Sequence, residues 1–301
     1  MSWFLCTILS ALFLGLYDIA KKMAVKDNAV RPVLFYSVLI GALVWSPLLM
    51  VSYLGWLPAK LRWLQVDATD GIDHLLLAIK SAIVGASWGF AYVALKHLPI
   101  TIASTIRATS PLWTILIATL VLDERPSWLQ WSGVVLILSS FYAFSLVGKR
   151  EGIHFRRNKW VACMMAATIL AACSALYDKY LLQRMNYSPA TVQAWFSVYL
   201  VLVTLPFYAN WVRTQQRKAT DPFQWRRVIP WIGILLLVTD FLYFTALEQP
   251  DTMISLVSPL RRTSVLVTFL YGIRMLKEKS YKPKAACLLG MLAGVFLLSR
   301  T

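Results

Sequence analysis

Two adjacent arginines, Arg261 and Arg262, interrupt an apolar stretch that reads LVSPLRRTSVLVTF over residues 256–269. Arg107 and Lys80 stand in similar surroundings, and Asp18, Asp178 and Asp240 are acids set among apolar residues. A guanidinium offers paired planar donors that fit a carboxylate or a phosphate. An ionised side chain near the centre of a bilayer costs on the order of 3 kcal/mol, so such residues face a bundle interior or a wet cavity. Arg107, Arg261 and Arg262 are therefore expected to form a cationic centre that binds an anionic or zwitterionic small molecule. Lys80 either adds to its field or snorkels to the surface. Trp88 and Tyr92 are the candidate aromatic walls, with Trp195, Phe196, Tyr199, Tyr243 and Tyr271 as further aromatic residues in the spans. Asp240 is a candidate proton carrier, or an ion-pair partner for a cavity arginine. Asp18 and Asp178 carry two readings: coupling or gating acids, or the ends of their helices in an aromatic belt, partnered by Lys21 and Lys179.

Catalytic and metal-binding patterns are missing from the chain. The three histidines (His74, His97 and His154) lie near span ends or in loops, and neither HExxH nor GxSxG occurs. Cys6, Cys163, Cys173 and Cys287 form no CxxC pair. No GxxxxGK[ST] loop is present for ATP. The expectation is no enzyme, no metal and no cofactor, with a proton or a second solute as the driving partner.

The elements that must hold these charges are membrane helices. The chain has 301 residues, 58% hydrophobic and only 15% charged, with mean hydropathy +0.61. A spanning helix needs about 20 mostly apolar residues. Ten stretches qualify, at residues 3–20, 32–54, 74–95, 100–122, 128–147, 160–182, 191–212, 228–247, 252–273 and 284–298. No stretch alternates as a barrel strand would, so the fold class is an all-α membrane protein of ten transmembrane helices. The first stretch has no basic residue before it and no small-residue cleavage site, and reads as a retained helix. Arg261 lies eleven residues beyond Pro250, about 16 Å along a helix and close to the midplane. Pro259 removes a backbone donor just before it, which breaks or kinks the helix at that depth.

The net charge of +16 is distributed by side. Lysines and arginines number twenty in the odd-numbered connections against six in the even-numbered connections and termini. This is the positive-inside pattern; it puts the basic loops against anionic cytoplasmic lipids and both termini outside. The expected partners are membrane lipids and a small molecule, not nucleic acid, and the expected location is the cell (inner) membrane, in a bacterium. The oligomeric state, monomer or homodimer, is not set by the sequence.

The chain repeats itself. Leu16-Tyr17-Asp18 recurs as Leu176-Tyr177-Asp178 and Ser37-Val38 as Ser197-Val198, both at an offset of 160. Arg107 pairs with Arg261, and Glu124 with Glu278, at an offset of 154. Residues 1–147 and 160–301 are then two five-helix units joined by a basic linker, 148–159. Five is odd, so the second unit enters the membrane from the opposite side, as in many secondary transporters. Gly85-x-x-x-Gly89 and Gly290-x-x-x-Gly294 are spacings for close helix contact.

Three stretches of the first half are Ala94-Leu95-Lys96-His97-Leu98-Pro99, Ser110-Pro111-Leu112 and Asp123-Glu124-Arg125. The second half repeats them in order as Ala246-Leu247-Glu248-Gln249-Pro250, Ser258-Pro259-Leu260 and Lys277-Glu278-Lys279. In this the chain resembles the drug/metabolite transporter superfamily, specifically its EamA-like family, over nearly its whole length. It departs from that pattern where Asp123 and Lys277 replace the glycine before the terminal glutamate, and in the long loop Gly55–Asp73. Described members also mostly keep their termini in the cytoplasm, against the charge count here. The resemblance implies secondary transport of an amino acid, metabolite or sugar phosphate, with a flippase for a lipid-linked sugar or polyprenyl phosphate as the alternative. Arg261 and Arg262 further resemble the paired basic residues that bind phosphate in the sugar-phosphate branch of the superfamily.

Overall fold

The computed structural model describes residues 2–121, 127–150, 155, 157–217, 222–249, 252, 257, 260–277 and 281–298, and among these it contains helices and no strand. The long helices are α1 (Trp3–Val25), α2 (Val30–Tyr53), α3 (Gly71–His97), α6 (Trp128–Arg150), α7 (Lys159–Lys179), α8 (Pro189–Arg217) and α9 (Val228–Glu248). Shorter pieces are α4 (Ile100–Ala108), α5 (Ser110–Val121), α10 (Ser264–Arg274) and α11 (Tyr281–Leu298). Eight helices are long and apolar enough to cross a membrane, when α4 and α5 are taken together and α7 with the π turn that continues it to Arg184. Where the other two spans are expected, at 252–273 and 284–298, the described helices are α10 and α11, neither of which is among these eight. Glu124, Glu278, Pro250, Pro259 and His154 lie outside the described residues.

Local chemistry accounts for the helix limits. Asp70 accepts from the backbone N–H of Ile72 and Asp73 while the Asp73 carboxylate accepts from Asp70, a capping box that starts α3. Asn158 caps α7 in the same manner, accepting from Trp160 at 2.9 Å. The expected fourth helix is broken at Thr109. Pro111 has no N–H to give to Arg107 four residues earlier. The chain tightens to a Thr109 N–H···O=C Ile106 bond of 3.1 Å and starts again at Ser110. Arg107 is left in the last turn of α4, where free carbonyls favour a cation.

Two sequence expectations change. Asp18 does not end a helix, since α1 continues to Val25 and carries Lys21 and Lys22 with it. Lys21 is buried, and so is Lys284 in α11, although both counted as loop charges in the sidedness tally. Neither apolar residues nor the nearby lysines mark where a helix leaves the bilayer when the side chains turn inward.

Packing pairs α1 with α9, α3 with α7, α2 with α8, and α6 with α11; α4 meets α10 and α7, and α1 meets α10. The main pairings exchange in order: α1 on α9 corresponds to α7 on α3, α2 on α9 to α8 on α3, and α1 on α10 to α7 on α4 and α5. Where α11 meets α6, a Cβ on Gly294 would stand 2.8 Å from the Gly133 carbonyl oxygen. A Cβ on Gly89 would meet nothing within 4 Å. Gly294→Ala is therefore expected to cost about 1–3 kcal/mol, read as a lower unfolding temperature in detergent. Gly89→Ala should leave that temperature unchanged.

The loop between α2 and α3 is tied down at the end of the bundle. Its short helix Ala59–Leu64 precedes the buried Val66, and Asp67 accepts from Ser188 and Thr191 at 2.6 and 2.9 Å. Close by, Tyr187 donates to Asp73. Burial, together with that carboxylate, pushes the Tyr187 phenol above its ordinary pKa.

Candidate functional site

A central cavity of about 90 Å³ lies among α1, α3, α4, α7, α8, α9 and the helical turn at residues 260–262. Lys80, Trp88, Arg107, Asp178, Asp240, Arg261 and Arg262 all line it. Asp18 lies just outside, on two smaller clefts that Arg107 shares. Residues separated by up to 182 positions in the chain thus meet in one place.

Three carboxylates are engaged by four cations. Lys80 donates to Asp178, tying α3 to α7, with side chains only 2% and 7% exposed. Arg107 Nη1 donates to Asp18 Oδ1 at 2.5 Å, and Lys21 Nζ reaches the same oxygen at 2.6 Å. Arg261 Nη2 donates to Asp240 Oδ1 at 2.6 Å. Lys80 therefore does not snorkel, and Asp240 is the partner of a cavity arginine. Asp18 binds Lys21, the partner expected of it, and Arg107 as well; Asp178 pairs with Lys80, and among the described ion pairs none joins it to Lys179.

Arg262 is different. Among the described residues no acid pairs with it, and its buried Nε has no hydrogen-bond partner. Residues 252–259, immediately before this turn, contain no acid either. The Arg261 Nε and the Tyr17 hydroxyl, on the same cavity, are also buried and unpartnered. Five cations against three carboxylates leave the cluster with two positive charges in excess.

Aromatic rings hold the cations in place. Arg261 Cζ sits 4.0 Å from the Tyr243 ring centroid, and Lys80 Nζ lies 4.7 and 4.8 Å from the Phe196 and Phe244 centroids. Lys21 Nζ is 4.1 Å from the Tyr17 ring. Trp88 lines the cavity as expected from its position, but Tyr92 does not. Tyr92 is 1% exposed, packed into the core with its hydroxyl 3.3 Å from Ser37 Oγ, so it stands behind the wall rather than in it. Trp195 and Tyr199 also stand elsewhere, packed around His74.

Sequence reasoning passed over Tyr17 and Lys21 as parts of the site. A signal existed for both: Tyr17 belongs to the repeated Leu-Tyr-Asp triplet, and Lys21 follows Asp18 by three residues, one helical turn.

A bundle of long apolar helices around a buried, charged cavity is the build of a multi-pass membrane protein. The sequence profile of the EamA-like transporter family matches residues 1–146 and again 158–300, and the chain belongs to that family. A protein of Archaeoglobus fulgidus described as an uncharacterized transporter is 23% identical over 295 residues, spanning 98% of this chain and 97% of its own. A solved structure titled only as the crystal structure of a protein superposes with TM-score 0.61 over 98% of this chain and 97% of its own, at 14% identity. That likeness concerns the fold alone.

Proposed function

We propose that the protein is a secondary transporter that moves a small organic anion or zwitterion across the cytoplasmic membrane by alternating access. Its two halves, 1–147 and 160–301, are five-helix repeats of opposite orientation joined by the 148–159 linker, and together supply ten spans. The exchange symmetry of the helix contacts supports this arrangement: α1 packs on α9 as α7 packs on α3. Arg107, Arg261, Arg262 and Lys80 bind the substrate beside Trp88, while Asp18, Asp178 and Asp240 hold or release those cations as the halves rock.

The observation that carries the reading is Arg262, a guanidinium on a central cavity with no carboxylate to balance it among the described residues. Arginine does not shed its proton at accessible pH. Its charge is balanced only when something negative arrives. The salt link between Lys80 and Asp178 joins helices of the two halves, so a bound anion that competes for Lys80 loosens one half from the other.

The test is uptake by proteoliposomes carrying the purified chain and preloaded with unlabelled anion. Saturable entry of a labelled anion, accelerated by the internal pool, is expected. Absence of entry for every carboxylate and phosphate tried, with folded protein in the vesicles, would remove the reading.

A further inference from the structure

We propose that the substrate carries two negative charges, as a phosphate monoester or a short dicarboxylate does, and not the single carboxylate of an amino acid. This deepens the anion-transport reading and rests on it. The charge count of the cavity sets the requirement. Lys80 with Asp178 and Arg261 with Asp240 are self-balanced pairs. Arg107 and Lys21 share the one carboxylate of Asp18. Arg262 has no acid at all among the described residues. Two positive charges are left over, and their sources lie together: Arg107 and Arg262 line both the central cavity and the smaller cleft next to it.

Uncompensated charge in a low-dielectric interior is costly and is neutralised by whatever counter-charge fits. A monoanion leaves one positive charge unmatched, and a zwitterion leaves two while adding an ammonium among five cations. A dianion cancels the excess completely. Its oxygens can take paired donors from each of the two guanidinium forks while matching both charges. The Tyr17 hydroxyl, unpartnered on the same wall, supplies a further donor. Leu14, Val84, Trp88, Phe196 and Leu236 line the same cavity beside Ser87 and Ser174, so a small body behind the charged head meets apolar surface and two hydroxyl-bearing residues.

The test uses the full-length protein in detergent, with ligand-induced thermal shift as readout. Glycerol 3-phosphate is compared with dimethyl phosphate, succinate with succinamate, and both sets with neutral amino acids. Each dianion is expected to bind at least about tenfold tighter than its matched monoanion, and whichever pair shows the larger ratio identifies phosphate or dicarboxylate as the source. Arg262→Gln is expected to shrink that ratio. Lowering the pH from about 7.5 to about 5.5 should weaken glycerol 3-phosphate, whose second proton returns near pH 6, and leave sulfate, a dianion throughout, unaffected. Monoanions or amino acids that bind as tightly as the dianions would overturn the dianion proposal and leave anion transport standing. A chain that responds to no anion of either charge would overturn both.

Discussion

Arg262→Gln is expected to weaken binding of the transported anion by roughly 10- to 150-fold, the equivalent of one charged hydrogen-bonding group worth about 1.5–3 kcal/mol, and to do so without loss of stability. The two halves of that expectation come from the same fact. Arg262 lines the cavity with no carboxylate beside it among the described residues, so no ion pair there offsets the cost of burying its charge. Removing that charge should leave the unfolding temperature of the ligand-free protein unchanged or higher. Arg262→Lys keeps the charge and loses the planar fork, so its affinity should fall between the two. A residue held for structure would behave the other way: Arg262→Gln would lower the unfolding temperature, and affinity would fall only as far as the folded fraction did. Measuring both quantities on the same preparation separates the cases.

Asp178→Asn should have the larger effect on folding. Lys80 and Asp178 are 2% and 7% exposed and joined to each other, with Lys80 enclosed by Phe196 and Phe244. Taking the carboxylate away leaves a buried ammonium with no counter-charge, which costs about 3–5 kcal/mol. The unfolding temperature of Asp178→Asn in detergent should drop steeply. The paired replacement Lys80→Met with Asp178→Leu removes both charges and fills similar volume, and most of the loss should return, because an apolar pair of matched size is often as stable as a buried ion pair. A double variant as unstable as the single one would mean that Asp178 holds α7 by contacts other than Lys80.

The charged residues of the site were legible in the sequence because apolar context makes any ion conspicuous. Arg107, Lys80, Asp178, Asp240, Arg261 and Arg262 all reach one cavity. Lys21 for Asp18 and a cavity arginine for Asp240 could be read from the sequence; that Arg107 also reaches Asp18, and that Lys80 rather than Lys179 meets Asp178, could not. Asp18 was hard to place because Lys21-Lys22 looks like an interfacial anchor, yet α1 runs four residues past Lys21 and buries it. Burial of a lysine depends on an acid brought from its own turn and an arginine brought from α4, and the second of these is tertiary information. Tyr92 failed for a related reason. It follows Trp88 by four residues, which puts both on nearly one face of α3, but Trp88 lines the cavity while Tyr92, one turn farther along, meets Ser37 on α2. The break after α4 was signalled by Ser110-Pro111, the same Ser-Pro pair that precedes Arg261 as Ser258-Pro259. Helical periodicity is blind to it, since α4 and α5 together still read as one span-length stretch; the missing proline donor is the physical cause.

The sign of the potential inside the cavity is the most direct measure of the account. A cysteine at Ala171, which lines the cavity, can be placed in a chain whose four native cysteines, Cys6, Cys163, Cys173 and Cys287, are replaced by alanine. Its rate of modification is then compared for an anionic and a cationic thiosulfonate reagent of equal size, each scaled to its rate with a free thiol. Five cations against three carboxylates should draw the anionic reagent in about tenfold faster or more, with the advantage cut by Arg262→Gln. Equal rates, a faster cationic reagent, or a cysteine that neither reagent reaches would contradict a positively charged, water-accessible site between the helices.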